Sequence, residues 1–292
     1  MDPKYDFSTE YQIFKSMVDE KIENYWGEEE PLLEGLYKSI NYSLNDGKRV
    51  RALFAFLVGE IFDVKPEKLL STAVAIEMIH AASLIMDDLP YMDNAELRRG
   101  KPANHIVFGQ DVALCASIAL ISEANRLVLS DQGLGLDERN RASNLLGASF
   151  GIKGLAAGQY VDLKLKRKNI KYEIIEFINA KKTAALFTAA GEIAAIIGHA
   201  SDKQLEAIKV FSENVGFAFQ ITDDILDVKG DEKLVGKDLN KDKMNFVRLV
   251  GMKEAEKYAK TYINTAKSAM AIFKDKGKKI IEFGDYLINR GY

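Results

Sequence analysis

The sequence predicts an all-α fold in a single domain. Five prolines, Pro3, Pro31, Pro66, Pro90 and Pro102, lie in the first part of the chain, and none follows Pro102. Proline breaks helix interiors, so its absence over the remaining sequence favours continuous helices. Between Glu67 and Ile85 the apolar residues cover most of a helix circumference, as in a buried helix. No segment sustains a period-two alternation, and no Asn-Gly pair marks a hairpin.

In chain order, apolar spacing predicts helices over 9–24, 31–44, 48–62, 67–88, 109–130, 137–155, 172–198, 203–228, 246–274 and 277–289. Asn45-Asp46-Gly47 separates the second from the third, and Pro90 stops the fourth. Asp131 to Gly135 separates the fifth from the sixth, and Lys229 to Lys243 precedes the ninth. None of these connections is long, low in complexity or rich in proline and serine, and no repeat of 20–50 residues stands out. The expected unit is one domain over residues 1–292.

Hydrophobic residues make up 47% of the 292 and charged residues 28%, which excludes a disordered or fibrous chain. A chain this long buries a core large enough to need no disulfide staples, and Cys115 is its one cysteine. With 40 basic and 43 acidic residues, the charge balance argues against a nucleic-acid binder. The N-terminus is polar and charged, without the apolar run of a secretory signal. The stretch from Ala184 to Gly198 is too short to span a bilayer and carries Glu192. A cytoplasmic protein without integral membrane contact is expected.

Two acidic clusters end or interrupt apolar helices. Asp87 and Asp88 close the helix that Pro90 stops, and Asp93 follows. Carboxylates at a helix C-terminus face the negative end of its dipole, at a cost of about 0.3–1 kcal/mol each unless a cation is present. Asp223, Asp224 and Asp227 sit in the apolar run that begins at Val215. Asp223 and Asp227 share a face at four residues' spacing and repel by about 0.2–0.5 kcal/mol. Either cluster alone reads most simply as a solvated surface. Together, opposed across a bundle, they would line a cavity that demands cations. The donors are all oxygen, which favours Mg²⁺ or Mn²⁺ over zinc. Mg²⁺ rests on one or two carboxylates plus substrate phosphates, so a phosphorylated substrate is implied.

Basic residues extend that reading. Lys48 and Arg51 share a face at a helix start, where anions are favoured. Arg98-Arg99-Gly100-Lys101 follows the first acidic cluster, and His80 lies two turns before Asp87. Arginine suits bidentate phosphate contact. Taken singly, each basic run reads as solvated surface and His80 as a core residue; their closeness in sequence to Asp87, Asp88 and Asp93 argues otherwise. Two phosphate sites beside an apolar interior point to lipid diphosphates, ionised in a dry cavity so that water does not quench an allylic cation.

The chain resembles the trans-isoprenyl diphosphate synthases (polyprenyl synthetases), nearest in motif to bacterial geranylgeranyl and farnesyl diphosphate synthases. The resemblance rests on Gly47-Lys48-Arg49-Val50-Arg51, Glu77 to Asp93, Leu97 to Pro102, Lys182-Thr183, Phe219 to Asp227, Gly236-Lys237-Asp238 and the ending Tyr286 to Arg290. It implies a helical bundle around a deep cavity, working as a homodimer, with three Mg²⁺ ions per site. Asp87 and Asp93 would bind two of them and Asp223 the third, while Asp88, Asp224 and Asp227 would support them or act through water. Arg98, Lys182 and Lys237 would hold the allylic diphosphate, and Lys48, Arg51, His80 and Arg99 isopentenyl diphosphate. Oxygens of Thr183 and Gln220 would sit near the developing cation. Three departures stand out: Asp46 replaces a frequent Gly, Ala184 replaces a frequent Gly after Lys-Thr, and Lys243-Met-Asn-Phe-Val replaces the usual Lys-Ser/Thr-Thr-Tyr-Pro.

Four residues separate Asp88 from Asp93, an insertion found in bacterial farnesyl and in plant or bacterial geranylgeranyl synthases. In this family bulk on the preceding helix sets chain length, and Ala82 and Ser83 stand there. A small residue at 82 leaves the cavity open, which favours the twenty-carbon product over the fifteen-carbon one; the alternative is that Ala82 only packs and the floor comes from elsewhere. Two rival readings are a terpene cyclase, which would not need the Lys48/Arg51/Arg99 set, and a silent regulatory subunit, which would be expected to lose metal ligands.

Overall fold

The computed structural model describes residues 7–27, 30–45, 47–164, 171–229 and 245–289. Among these, the helices are α1 (Phe7–Glu23), α2 (Glu34–Leu44), α3 (Val50–Ile61), α4 (Pro66–Asp87), α5 (Asn104–Phe108), α6 (Gln110–Ser130), α7 (Leu136–Phe150), α8 (Leu155–Lys164), α9 (Tyr172–Asn179), α10 (Ala185–Ile197), α11 (Asp202–Lys229), α12 (Phe246–Val250), α13 (Met252–Ala269) and α14 (Lys278–Asn289). The all-α bundle that the proline distribution and apolar spacing predict is the fold observed.

Helices α3, α4 and α10 form the middle of the bundle because they are apolar nearly all round. Phe54 of α3 meets Phe187 of α10 edge-on at 5.5 Å and stacks on Phe211 of α11 at 6.0 Å. This large core runs from α1 to α14. A second, smaller core joins α9, α11, α12 and α13 through Ile178, Ile221, Ile225 and Phe246. It backs the half of α11 that carries Asp223 to Asp227.

Several boundaries differ from the sequence reading, each for a local reason. α3 starts at Val50, after Arg49, because Arg49 is left-handed (φ 51°). The helix expected over 137–155 ends at Phe150, and α8 follows it. α8 lacks an apolar stripe, so periodicity does not signal it. The expected helix 172–198 is interrupted by a π-helical turn over Ala180–Ala184. The expected helix 246–274 breaks at Gly251, whose φ of 86° a helix cannot continue through, and α13 then gives way to a 3₁₀ stretch over Met270–Gly277. A two-strand hairpin, β1 (Leu97–Arg98) and β2 (Lys101–Pro102), turns on Arg99-Gly100, both at positive φ.

Candidate functional site

The first acidic cluster is shaped by the end of α4. The chain folds back so that the Asp93 N–H donates to the Asp87 carbonyl at 2.8 Å, bringing Asp93 beside Asp87. Asp88 caps α4 and is 2% exposed. Both its oxygens are taken by Arg98, whose Nε lies 3.1 Å from each and whose Nη2 donates to Oδ1. Burial raises the Asp88 pKa, and Arg98 opposes that rise. A buried charge pair of this kind is expensive to form and worse to break.

Lys182 joins the cluster from the π-helical turn. Its Nζ lies 3.0 Å from Asp162 Oδ2 and 3.7 Å from Asp87 Oδ2. Burial works against the ammonium, yet Asp87, Asp162 and Asp93 outweigh it and hold the Lys182 pKa above its ordinary value. The next residue faces the other way: the Thr183 hydroxyl donates to Gln220 Oε1 on α11 at 2.5 Å. One wide turn therefore touches both the end of α4 and α11. Single π turns of this sort recur at functional sites because they redirect neighbouring side chains.

Gly216 lets α11 come this close. A Cβ there would sit 2.5 Å from the Ala184 Cα. The alanine that departs from the family's frequent Gly is thus accommodated by a glycine facing it. One turn beyond Gly216, Gln220 meets Thr183, and its amide donates to Asp224 Oδ1 at 2.8 Å. Asp224 Oδ2 accepts the Phe246 N–H at 2.9 Å. Burial pushes the Asp224 pKa up to about 6, with Asp223 and Asp227 adding to the rise against those two donors. Asp223 and Asp227 lie on the same helix, half-buried.

The basic residues gather around His80. Burial lowers its pKa well below the ordinary value, and Arg51, Arg99, Arg98 and Arg49 lower it further, so His80 is neutral near pH 7. The Arg51 guanidinium lies over Phe187 at 5.0 Å and Phe219 at 6.0 Å, next to Gln220 in sequence. Arg99 Nη1 donates to the Ser43 carbonyl in the last turn of α2 at 3.1 Å, where the helix dipole favours a cation. Lys48 is exposed just ahead of α3. Lys237 and Lys243 lie outside the described residues.

The structure thus gathers Asp87, Asp88, Asp93, Arg98 and Lys182 at the end of α4, links Thr183 next to them with Gln220 and Asp224 of α11, and sets His80 in the field of Arg51, Arg98 and Arg99. Asp162 is a site residue that sequence reasoning missed; it sits on α8, the helix without a periodic signal. Asp87, Asp93 and Asp162 offer oxygen donors suited to a hard divalent cation. Among the described residues no group of three or more Asp, Glu, His or Cys side chains cages an ion by itself. A cation here would rest on one or two carboxylates and on the substrate's oxygens. A surface cavity of about 670 Å³ lies elsewhere, beside Lys68 in the first turn of α4 and His199. It contains none of the residues expected in the site, and Lys68 is paired with Glu138 there at 2.8 Å.

One turn thus links the two acidic clusters, and basic residues stand close to the first of them. A family model described as polyprenyl synthetase matches residues 33–282, and the chain belongs to that family of prenyltransferases. It is 38% identical over 296 residues to geranylgeranyl pyrophosphate synthase 7, chloroplastic, of Arabidopsis thaliana, covering 98% of this chain and 84% of that one. It is 37% identical over 295 residues to the chloroplastic geranylgeranyl pyrophosphate synthase of Catharanthus roseus, covering 98% and 82%. Among solved structures, an FPP/GFPP synthase from Zymomonas mobilis matches with a TM-score of 0.87 at 27% identity over 96% of this chain and 98% of that one. A geranyltransferase from Helicobacter pylori, complexed with magnesium and isoprenyl diphosphate, matches with a TM-score of 0.84 at 27% identity over 96% of each chain.

Proposed function

We propose that the protein condenses isopentenyl diphosphate with short allylic diphosphates (dimethylallyl, geranyl and farnesyl), giving geranylgeranyl diphosphate or, failing that, farnesyl diphosphate. The observation that carries the reading is the π-helical turn: Lys182 reaches the Asp87 side and Thr183 reaches α11, a link that supports one site shared by both acidic clusters. The similarity to geranylgeranyl pyrophosphate synthases supports the twenty-carbon product.

In this reading Asp87 and Asp93, with Asp223 opposite and Asp88, Asp224 and Asp227 in support, hold Mg²⁺ with the allylic diphosphate; Mn²⁺ is the natural substitute. Bound Mg²⁺ supplies charge that makes the diphosphate a better leaving group. Arg98 and Lys182 orient that diphosphate, and both stay charged through their carboxylate partners. The allylic C–O bond breaks with its electron pair leaving on the diphosphate. The Thr183 and Gln220 oxygens face the resulting cation, and the apolar walls keep water away. Lys48, Arg51 and Arg99, with neutral His80, hold isopentenyl diphosphate so that its double bond closes on the allylic carbon. The released diphosphate takes the proton.

The experiment is product analysis by mass after incubation with Mg²⁺, isopentenyl diphosphate and each allylic diphosphate in turn. A twenty-carbon diphosphate supports the reading; hydrocarbon released from farnesyl diphosphate alone would instead identify a cyclase, and no turnover a silent subunit. Ala82 is fully buried, and its carbonyl accepts from Ser117 of α6 at 3.3 Å. Ala82→Phe is expected to shorten the product; an unchanged product profile removes position 82 as the floor. We further propose a cytoplasmic homodimer without integral membrane contact. Helix α6 is long and apolar, yet less than half of its most apolar window is buried. With α5 it exposes Ile106, Val107, Leu114, Ile118 and Leu129, a face that a second copy would cover. Sedimentation at twice 32.6 kDa supports that assembly, and a monomer at micromolar concentration overturns it.

A further inference from the structure

Arg49 is the most deeply buried basic residue of the Gly47 to Arg51 turn, at 3% exposure against 9% for Arg51. Its left-handed backbone (φ 51°) is unfavourable for a side chain of this size, so the surroundings must impose it. Arg49 Nε donates to Asp19 Oδ1 of α1 at 2.7 Å, its Nη1 lies 3.8 Å from Glu77 Oε2 of α4, and its Nη2 donates to the Asn45 carbonyl at 3.4 Å. The guanidinium folds back beneath Gly47, where a Cβ would come within 2.2 Å of Nη1. The other oxygen of Glu77 accepts the Ala52 N–H at 3.1 Å. Glu77 therefore fills the helix-start cap that Arg49 itself cannot supply to α3.

Helix α1 grips the same turn a second time. The Tyr11 hydroxyl donates to the Lys48 carbonyl at 2.8 Å. One residue before Tyr11, Glu10 ties α1 to α14 through Lys279, which also reaches Glu60 of α3 at 2.5 Å. The span matched by the family model begins at residue 33, so α1 lies outside it.

We infer that α1 is part of the diphosphate-binding machinery: Asp19 and Tyr11 clamp Arg49 and the Lys48 carbonyl, and this clamp aims Lys48 and Arg51 at isopentenyl diphosphate. Arg49 is a positioning residue, since its guanidinium is taken up by Asp19, Glu77 and the Asn45 carbonyl. The inference rests on the proposed function and adds to it a residue set on a helix that the family match does not reach. A purely structural clamp would shift the melting temperature and leave relative substrate affinities alone. A positioning clamp changes affinity for one substrate of the two.

The test uses Tyr11→Phe and Asp19→Asn in the full chain, because both keep helix α1 intact. Affinity for isopentenyl diphosphate is read by calorimetry, and KM for both substrates and kcat by steady-state turnover. Losing the Tyr11 hydrogen bond is expected to raise KM for isopentenyl diphosphate about fivefold, and losing the charged Asp19 partner about tenfold. KM for the allylic diphosphate and kcat stay within about twofold, on the same scale of single-bond effects. Arg49→Lys retains more of the affinity than Arg49→Met. Equal changes in both KM values, or unchanged affinity for isopentenyl diphosphate in both α1 variants, overturn the inference while the proposed function stands. A wild-type protein that binds no isopentenyl diphosphate overturns both.

Discussion

Asp88 at the end of α4 and Asp224 on α11 are both buried carboxylates with raised pKa values, but they are held by different chemistry. Asp88 meets a guanidinium on both oxygens. Asp224 meets a side-chain amide and a backbone N–H, with two further aspartates on its own helix. The α4 side belongs to the large core and carries its own cations, Arg98 and Lys182. The α11 side leans on the small core of α9, α12 and α13. On the α4 side the buried carboxylate is held by a charged partner; on the α11 side it is held by neutral donors and close helix packing. Under the proposed function, the α4 side would grip the leaving group and the α11 side would complete the site around it.

The comparison can be broken in steps. The largest effect is expected from Asp87→Ala, which should lower kcat/KM by about a thousandfold or more while circular dichroism stays unchanged, as for the loss of a principal charge-stabilising group. Near-normal turnover would remove Asp87 from the chemistry. Next, Arg98→Met strands Asp88 without its charged partner and should cost about 3 kcal/mol in chemical denaturation. A loss under 1 kcal/mol would mean that Asp88 does not depend on this pair. Gly216→Ala tests the packing of the α11 side: the added methyl cannot fit against Ala184 and should cost about 1–3 kcal/mol. Activity should fall with it, because Gln220 is carried away from Thr183. Unchanged stability would show that α11 has room to spare.

The smallest effect concerns His80. Its folded pKa is depressed, so the unfolded chain binds a proton near the ordinary value of 6.5 that the folded chain refuses. The stability this gives is complete above pH 6.5 and is lost as pH falls below it, with a slope of at most about 1.4 kcal/mol per pH unit. His80→Gln should flatten the stability profile between pH 6.5 and 5 relative to wild type. Parallel profiles would mean that His80 titrates normally among the arginines.

Much of this was legible in the residues. The proline-free stretch and the apolar spacing between Glu67 and Ile85 lead directly to a helical bundle, and the Asp clusters stand out because helix ends and apolar faces disfavour them. Three features were hidden for physical reasons. Helix α8 spreads its apolar residues around the axis, so Asp162 escaped notice. The π-helical turn depends on how α11 packs against residues 180–184, which no local pattern reports. Arg49 looks like one more basic residue in a charged run; its left-handed backbone and its pairing with Asp19 and Glu77 beneath Gly47 set it apart from Lys48 and Arg51. Residues near Lys237 and Lys243 lie outside the described structure, so their part in the site rests on the sequence alone.

The central claim is that both acidic clusters serve one substrate in one chamber. The most direct measurement is a crystal structure of the protein with Mg²⁺ and a non-hydrolysable allylic thiodiphosphate. The predicted result is a diphosphate lying between the two clusters, with metal ions at Asp87 and Asp93 on one side and at Asp223 on the other. A diphosphate bound to one cluster alone, with no metal at the second, would contradict it.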